Sequence, residues 1–332
     1  MKQLLAYCLS IILCVSFTGC MENYLDLYPE DKITSASFPE NESDIKLLLN
    51  GVYAQLREKE VYNQGLFGFG ITDGATPNAF NWGTDEVFNK LGAGRLSSSD
   101  GGVVTYRWKR CYEIISRANY LLACMDLVDL SEEAKAKYSG ETHFLRGLAY
   151  SVLAETYGGV PIILTNISTE EARSLKRASL EETWQQALDD YEVAITNLGV
   201  DAPEPGRATK GAALGMKMRA YLYQGKYKEV LSCVEQIDAL KKYGLFHSYE
   251  GLFDPANENN KEVLFDIQYI EGENSQGSYI DQYCGTGTGS WTRGSRYVPT
   301  DDLVAAYETI DGSPVDLSLI HISEPTRPIS IS

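Results

Sequence analysis

The chain has 332 residues, enough for one or two domains, and its 44% hydrophobic and 23% charged residues are ordinary for a globular protein. A formal charge of -17 excludes a nucleic-acid face, which needs basic side chains, and disfavours attraction to anionic lipid. Seven cysteines with no paired spacing and no C-x-x-C do not make a disulfide framework.

At the amino terminus, Met1-Lys2-Gln3 precedes an apolar run from Leu4 to Phe17 and then Thr18-Gly19-Cys20. The run is shorter than the roughly 20 residues of a spanning helix and fits the core of a signal peptide. Residues 1–19 therefore read as an address. The small residues before Cys20 resemble the processing box of a bacterial lipoprotein, which makes Cys20 the lipidated first residue of the mature chain. Several acyl chains, palmitate among them, anchor stably where a single one is marginal. A plain secretory signal with an incidental cysteine is the alternative, because Phe17 stands where such boxes more often carry Leu. Cys8 and Cys14 leave with the signal, and Cys111, Cys124, Cys233 and Cys284 read mainly as small buried hydrophobes.

Residues 22–34 read as an extended start. A helical pattern opens at Asp44 and runs through Leu47, Leu48, Gly51, Val52 and Leu56. From 62 to 100 the chain is irregular and rich in Gly, Asn, Ser and Thr, yet it holds Phe67, Phe69, Phe80, Trp82 and Phe88. Long irregular stretches of this kind are usually functional. Within it, Gly65 to Gly70 superficially resembles a phosphate cradle but lacks the strand and helix that make such a loop work.

The helical period returns with Trp108, Cys111, Ile115, Ala118 and Leu122 on one face. After a break at 129–131, with Ser131 as a start signal, a second helix runs to Tyr157, its stripe formed by Leu145, Leu148, Ala149 and Val152. Gly158-Gly159 stops it and Pro161 forbids its resumption. The two helices form an antiparallel hairpin. Another helix starts at Ser179, capped with Glu182 three residues on, and aligns Trp184, Ala187, Leu188, Tyr191, Ala194, Ile195 and Leu198. Pro203 to Gly206 breaks the chain, and Thr209 to Ala239 reads as two helices joined at Gln224-Gly-Lys226. Tyr221, Gly225 and Tyr227 sit as in a tetratricopeptide repeat, so three hairpins over about 105–240 stack into a short solenoid. Glu262 to Tyr269 alternates like a strand. Residues 275–296 form a second Gly-rich stretch with Tyr279, Tyr283, Trp291, Arg293 and Arg296, and a helix follows near Leu303.

No catalytic or metal constellation stands out. His143, His247 and His321 lack metal-ligand spacing, no G-x-S-x-G occurs, and no carboxylate pair is singled out among 46 acidic residues. Asp254 to Glu262 is oxygen-rich but lacks the ligand-Gly-ligand pattern of a calcium loop, and reads as a solvated turn. The sequence implies no cofactor. Of the 22 tyrosines, most read as helix contacts with a hydroxyl reaching water, which leaves some for a binding surface.

Phe144-Leu-Arg146 followed by Tyr157-Gly-Gly-Val-Pro161 resembles the signature helix of the SusD/RagB family of nutrient-binding outer-membrane lipoproteins. Leu25-Asp-Leu-Tyr-Pro29, Ile33-Thr34 and Leu47-Leu-Leu-Asn-Gly-Val-Tyr53 resemble the family's amino-terminal pattern. The resemblance implies a mostly α fold: tetratricopeptide-like hairpins as a scaffold, with long irregular loops and minor β. It covers 20–316 as one SusD-like domain whose carboxyl-terminal region is incomplete. Residues from Leu317 to Arg327 match the translation of a transposase-end sequencing adapter, so 317–332 are read as a foreign tail.

In function, the resemblance implies a non-catalytic lipoprotein of the cell outer membrane that captures a glycan and delivers it to a SusC-like TonB-dependent β-barrel transporter. The site is expected where the two irregular stretches supply it: Trp82 and Trp291, with Tyr279, Tyr283, Asn81 and Arg293 in support. A peptide-binding RagB-like uptake protein, a repeat-type protein adaptor and a surface glycosidase are the alternatives.

Overall fold

The computed structural model describes residues 38–58, 73–81, 86–97, 99–269, 297–309 and 311–314. The chain divides into two units, Met1–Glu40 and Asn41–Ser332. In the first, only 38–40 are described, without regular structure.

In the second unit, helix α1 (Glu42–Ala54) begins two residues ahead of the expected Asp44. The Asn41 side chain accepts from the Ser43 and Asp44 amides while the Asp44 carboxylate accepts from the Asn41 amide, a reciprocal cap. Its buried stripe is Ile45, Leu49 and Val52, continued by Leu56 in the 3-10 turn Gln55–Arg57. Leu47 is exposed. Spacings of four and seven from Ile45 turn the core face away from it, which corrects the stripe read from sequence.

Strand β1 (Ala79–Asn81) and the short α2 (Glu86–Gly92) follow, then a long hairpin of α3 (Val103–Cys124) and α4 (Glu132–Tyr157). The hairpin is antiparallel: Lys135 near the start of α4 pairs with Asp126 just after α3 at 2.5 Å, while the Tyr157 hydroxyl donates to the Val104 carbonyl at 2.6 Å. Cys111, Ile114, Ile115, Ala118 and Leu121 of α3 are buried against α1 and α4. A single turn, α5 (Thr169–Ser174), leads to α6 (Leu180–Asn197), and both carry a reciprocal Ser–Glu cap at the amino end.

The most extensive packing in the molecule is α4 on α6. Gly140 and Gly147 of α4 make this close approach feasible. A methyl group at Gly140 would lie 2.9 Å from Leu198, and one at Gly147 3.0 Å from Tyr191 and 3.1 Å from the Ala187 carbonyl. Trp184, Ala187, Leu188, Tyr191, Ala194 and Leu198 of α6 are buried, as their spacing predicts. α7 (Lys210–Tyr223), capped by Thr209, and α8 (Tyr227–Ala239) complete the stack, with Gly225 at φ +70 in the turn between them. Tyr221 packs against the core as the repeat pattern requires, whereas Tyr227 is exposed.

Glu262 to Tyr269 does not form a strand. Phe265 and Ile267 pack on the helical core. The alternation thus records one face laid on helices, with no partner strand to complete a ladder. Strand β2 (Tyr297–Pro299) and helix α9 (Asp301–Ala305) follow, and an isolated antiparallel bridge between Glu308 and Pro314 ends the described chain. Among the described residues no helix is long and apolar enough to cross a membrane.

The motif that ends α4 is explained by its contacts. Gly158 has φ 77 and ψ -136, a region that a side chain disfavours, and it turns the chain out of the helix. A methyl group at Gly159 would lie 2.0 Å from the Ala178 carbonyl oxygen. Val160 is buried, donates to Thr183 Oγ1 at 3.1 Å and accepts from the Ala178 amide at 3.1 Å. The Pro161 carbonyl accepts from the Tyr112 hydroxyl at 2.7 Å. The Arg177 guanidinium donates to the Tyr157 and Gly159 carbonyls, a cation on the exposed carbonyl end of a helix. Tyr, Gly, Gly, Val and Pro therefore have architectural work in this position.

Candidate functional site

The first irregular stretch pairs with the segment that directly follows the second. β1 pairs antiparallel with β2 in the register Ala79 with Pro299, Phe80 with Val298 and Asn81 with Tyr297. The ladder is extended by the Thr300 amide donating to the Asn78 carbonyl at 3.0 Å. The Thr300 hydroxyl donates to the Pro77 carbonyl and accepts from the Leu303 amide at 3.2 Å, so one side chain joins the ladder and caps α9. Pro299 lacks an amide donor, which a two-stranded ladder with outer edges tolerates. Below it, Thr76 folds back on Asp73, its hydroxyl donating to the Asp73 carbonyl at 2.7 Å.

Asn81 is the last residue of β1 and immediately precedes Trp82; Tyr297 opens β2 immediately after Arg296. Trp82, Tyr279, Tyr283, Trp291 and Arg293 lie outside the described residues, as do Cys20 and the tail 317–332. Phe80, one of the aromatics of the first stretch, is about half exposed on the ladder. Sequence reasoning singled out the two stretches but not this pairing. Three-residue strands offer no alternation long enough to read.

A second concavity was not anticipated from the sequence. A groove of about 720 Å³ lies between α7 and the segment 252–269, its lining including Leu148, Met216, Phe253, Phe265 and Tyr269. The two methionines on α7, Met216 and Met218, with Gly215 between the helix and Leu264, were its only local signal.

Buried ionisable groups are committed to the frame. Arg146, the Arg of the signature, donates to the Asp190 carboxylate from Nε and Nη2 at 2.7 to 3.3 Å and to Asn119 Oδ1 from Nη1 at 2.8 Å. Asn119 in turn donates to the Ile163 and Thr165 carbonyls at 3.0 and 3.3 Å. One guanidinium thus ties α3, α4 and α6 and the segment leaving α4. In a second network, Glu141 accepts from the Tyr53 hydroxyl at 2.7 Å and faces Arg207 Nη1 at 3.5 Å, and Arg207 lies over the Tyr53 ring. Burial raises the Glu141 carboxyl above its ordinary range, with Tyr53 and Arg207 pulling the other way. Burial raises the Tyr53 hydroxyl as well, helped by the Glu141 charge.

His143 Nδ1 lies 2.8 Å from the Ser139 carbonyl one helical turn back, and burial lowers its pKa. Cys111, Cys124 and Cys233 are free and buried, and burial pushes the Cys111 thiol up to about 12. Asp254 and Glu262, the acidic ends of the oxygen-rich segment, accept from the Ala256 and Phe246 amides at 2.8 and 2.7 Å. Among the described residues no cluster of three His, Cys, Asp or Glu side chains is arranged to hold a metal.

Comparison with known proteins follows the same lines. A family model described as SusD-like, starch-binding and associating with the outer membrane matches residues 23–222. SusD-like protein P25 of Formosa agariphila is 26% identical over 321 residues, covering 90% of this chain and 58% of that protein. Two crystal structures from Bacteroides fragilis, one a SusD-like protein and one a SusD-like carbohydrate binding protein, superpose with TM-scores of 0.72 at 25% and 26% identity. They cover 87% and 83% of this chain but only 57% and 55% of their own. The chain spans little more than half the length of the relatives it matches.

Proposed function

Because this chain belongs to the SusD-like family of starch-binding, outer-membrane-associating proteins, we propose that it captures a glycan at the cell surface without transforming it. The proposed platform is Trp82 and Trp291, supported by Asn81, Tyr279, Tyr283 and Arg293. The observation that supports this reading is the β1–β2 ladder, which pairs part of the first aromatic stretch with the segment that directly follows the second. Trp82 follows the last ladder residue of β1, and Trp291 precedes β2 by six residues, a span of at most about 22 Å of extended chain. Aromatic faces take the C–H surfaces of a sugar, while amide and guanidinium groups take its hydroxyls. Each hydroxyl bond exchanges with water and nets about 1 kcal/mol, so the affinity is modest, roughly micromolar to millimolar.

Weak binding suffices if the protein is tethered beside its acceptor, since tethering raises effective concentration without new contacts. In this proposal residues 1–19 are the signal, Cys20 bears the lipid in the outer membrane, and a SusC-like TonB-dependent barrel receives the ligand. The resemblance of the fold to a structure named as a SusD-like carbohydrate binding protein supports a glycan over a peptide.

Affinity gel electrophoresis over a panel of soluble polysaccharides tests the reading. The wild-type chain is retarded by at least one glycan, and Trp82→Ala and Trp291→Ala each abolish the retardation. Retention unchanged by both substitutions removes the assigned platform. Binding of peptides with no retention on any glycan transfers the reading to RagB-like uptake, and release of reducing ends by the purified protein transfers it to a glycosidase.

A further inference from the structure

The ladder presents two unlike faces. Side chains alternate along a strand. Ala79 is buried at 8% exposure, so its neighbour Phe80 is turned to the other side, where it stays 49% exposed. Phe80 is the middle residue of β1 and stands opposite Val298 in the register. A side chain on hydrogen-bonded strand backbone is already held in place, so little further freedom is lost when a ligand covers it. A lone exposed apolar residue needs no explanation. Phe80 is not alone. α2 packs on β1 and leaves Leu91 close to half exposed, and Tyr307, just beyond the helix that β2 leads into, is half exposed as well.

The charges around these elements are mostly of one sign. Residues 62–100 and 275–314 carry nine acidic side chains against four basic ones. Asp301 and Asp302 open α9 directly after the ladder, and Glu308 and Asp311 follow. Lys90, one of the four cations, is paired with Asp100 at 3.0 Å. Recognition of anionic groups takes clustered guanidinium and ammonium donors. A polyanion nearing a surface with this balance, on a chain of formal charge -17, is repelled before it docks. An open ring face suits the C–H side of a sugar, which is apolar and carries no charge.

We infer, resting on the glycan reading, that Phe80 is a stacking face of the proposed site and that the glycan it takes is uncharged, free of uronate, sulfate and phosphate groups. Phe80 adds to Trp82 and Trp291 an aromatic side chain whose backbone is fixed by the ladder.

Isothermal titration calorimetry at about 10 mM and about 0.15 M salt, where Debye lengths are roughly 30 and 8 Å, tests both parts. The uncharged probes are xyloglucan, galactomannan, laminarin and amylopectin; the anionic ones are alginate, polygalacturonate and chondroitin sulfate. At least one uncharged glycan binds the wild-type chain equally at both salts, and no anionic one binds at either. Phe80→Ala weakens that binding about tenfold, the loss expected if the open half of the ring is covered. Phe80→Leu keeps apolar bulk without a flat face and loses as much, which carries the test should the alanine variant not fold. Phe80→Trp and Phe80→Tyr bind as the wild type does. If the Phe80→Leu chain binds like the wild type while Trp82→Ala does not, the inference is overturned and the glycan reading stands. An anionic glycan bound at the lower salt and released at the higher also overturns the inference while leaving that reading in place. A wild-type chain that binds no glycan overturns both.

Discussion

Replacing Arg146 by Met tests whether the signature arginine is structural. The change keeps an unbranched side chain of similar length but removes the cation from a pair in which both side chains are buried. Asp190 then keeps a buried charge without its guanidinium, and Asn119 Oδ1 loses its donor. Breaking a buried pair from one side costs about 3–5 kcal/mol, most of it from the orphaned charge. With roughly 2–4 °C of melting temperature per kcal/mol in domains of this order of size, the midpoint falls by roughly 6 °C or more. Replacing both partners, Arg146→Met with Asp190→Leu, removes the orphan, so the double variant recovers most of the loss. Differential scanning calorimetry of wild type, both single variants and the double variant closes the cycle. A single-variant cost under about 1 kcal/mol, or a double variant as unstable as the sum of the singles, refutes the reasoning. Glycan retention per folded molecule is unaffected, because the pair stands within the helical frame.

The two glycines after α4 separate strain from crowding. Gly158→Ala meets no atom within 4 Å but must hold φ 77, so it costs about 1–3 kcal/mol from backbone strain alone. Gly159→Ala drives a methyl group into the Ala178 carbonyl and costs at least as much through displacement of 178–180; chemical denaturation that finds either change neutral contradicts the geometry. Glu141 gives a pH signature. Its folded pKa is raised above its unfolded one, so folded protein holds the proton longer and stability is lost as pH rises from the unfolded value through the folded one. Relative to Glu141→Gln, which cannot ionise, the wild type therefore loses melting temperature between about pH 4 and the raised value; a difference that moves the other way shows that Arg207 outweighs burial.

Most of the helical frame was legible in local signals. Ser131, Ser179 with Glu182, and Thr209 mark helix starts, Gly158 marks a stop, and the stripe from Trp184 to Leu198 is buried as spaced. These features depend on contacts within a few residues along the chain, so residue order alone determines them. The candidate site was half legible: its two stretches stood out by composition, while the β1–β2 ladder brings together segments whose Pro77 and Thr300 are 223 positions apart. No local pattern encodes that distance. The same holds for Arg146, a motif letter until Asp190 and Asn119 arrive from other helices. It holds too for Glu262 to Tyr269, whose alternation found helices to lie on where a strand was expected. Sequence determined the long helices of the frame and most of their apolar faces, but not the short helix Glu86–Gly92, which lies within a stretch that reads as irregular, nor the true stripe of α1. Tertiary structure alone decided which apolar face meets which, because that choice is made by chain topology and by the volume left between elements, and neither is written within one helical turn.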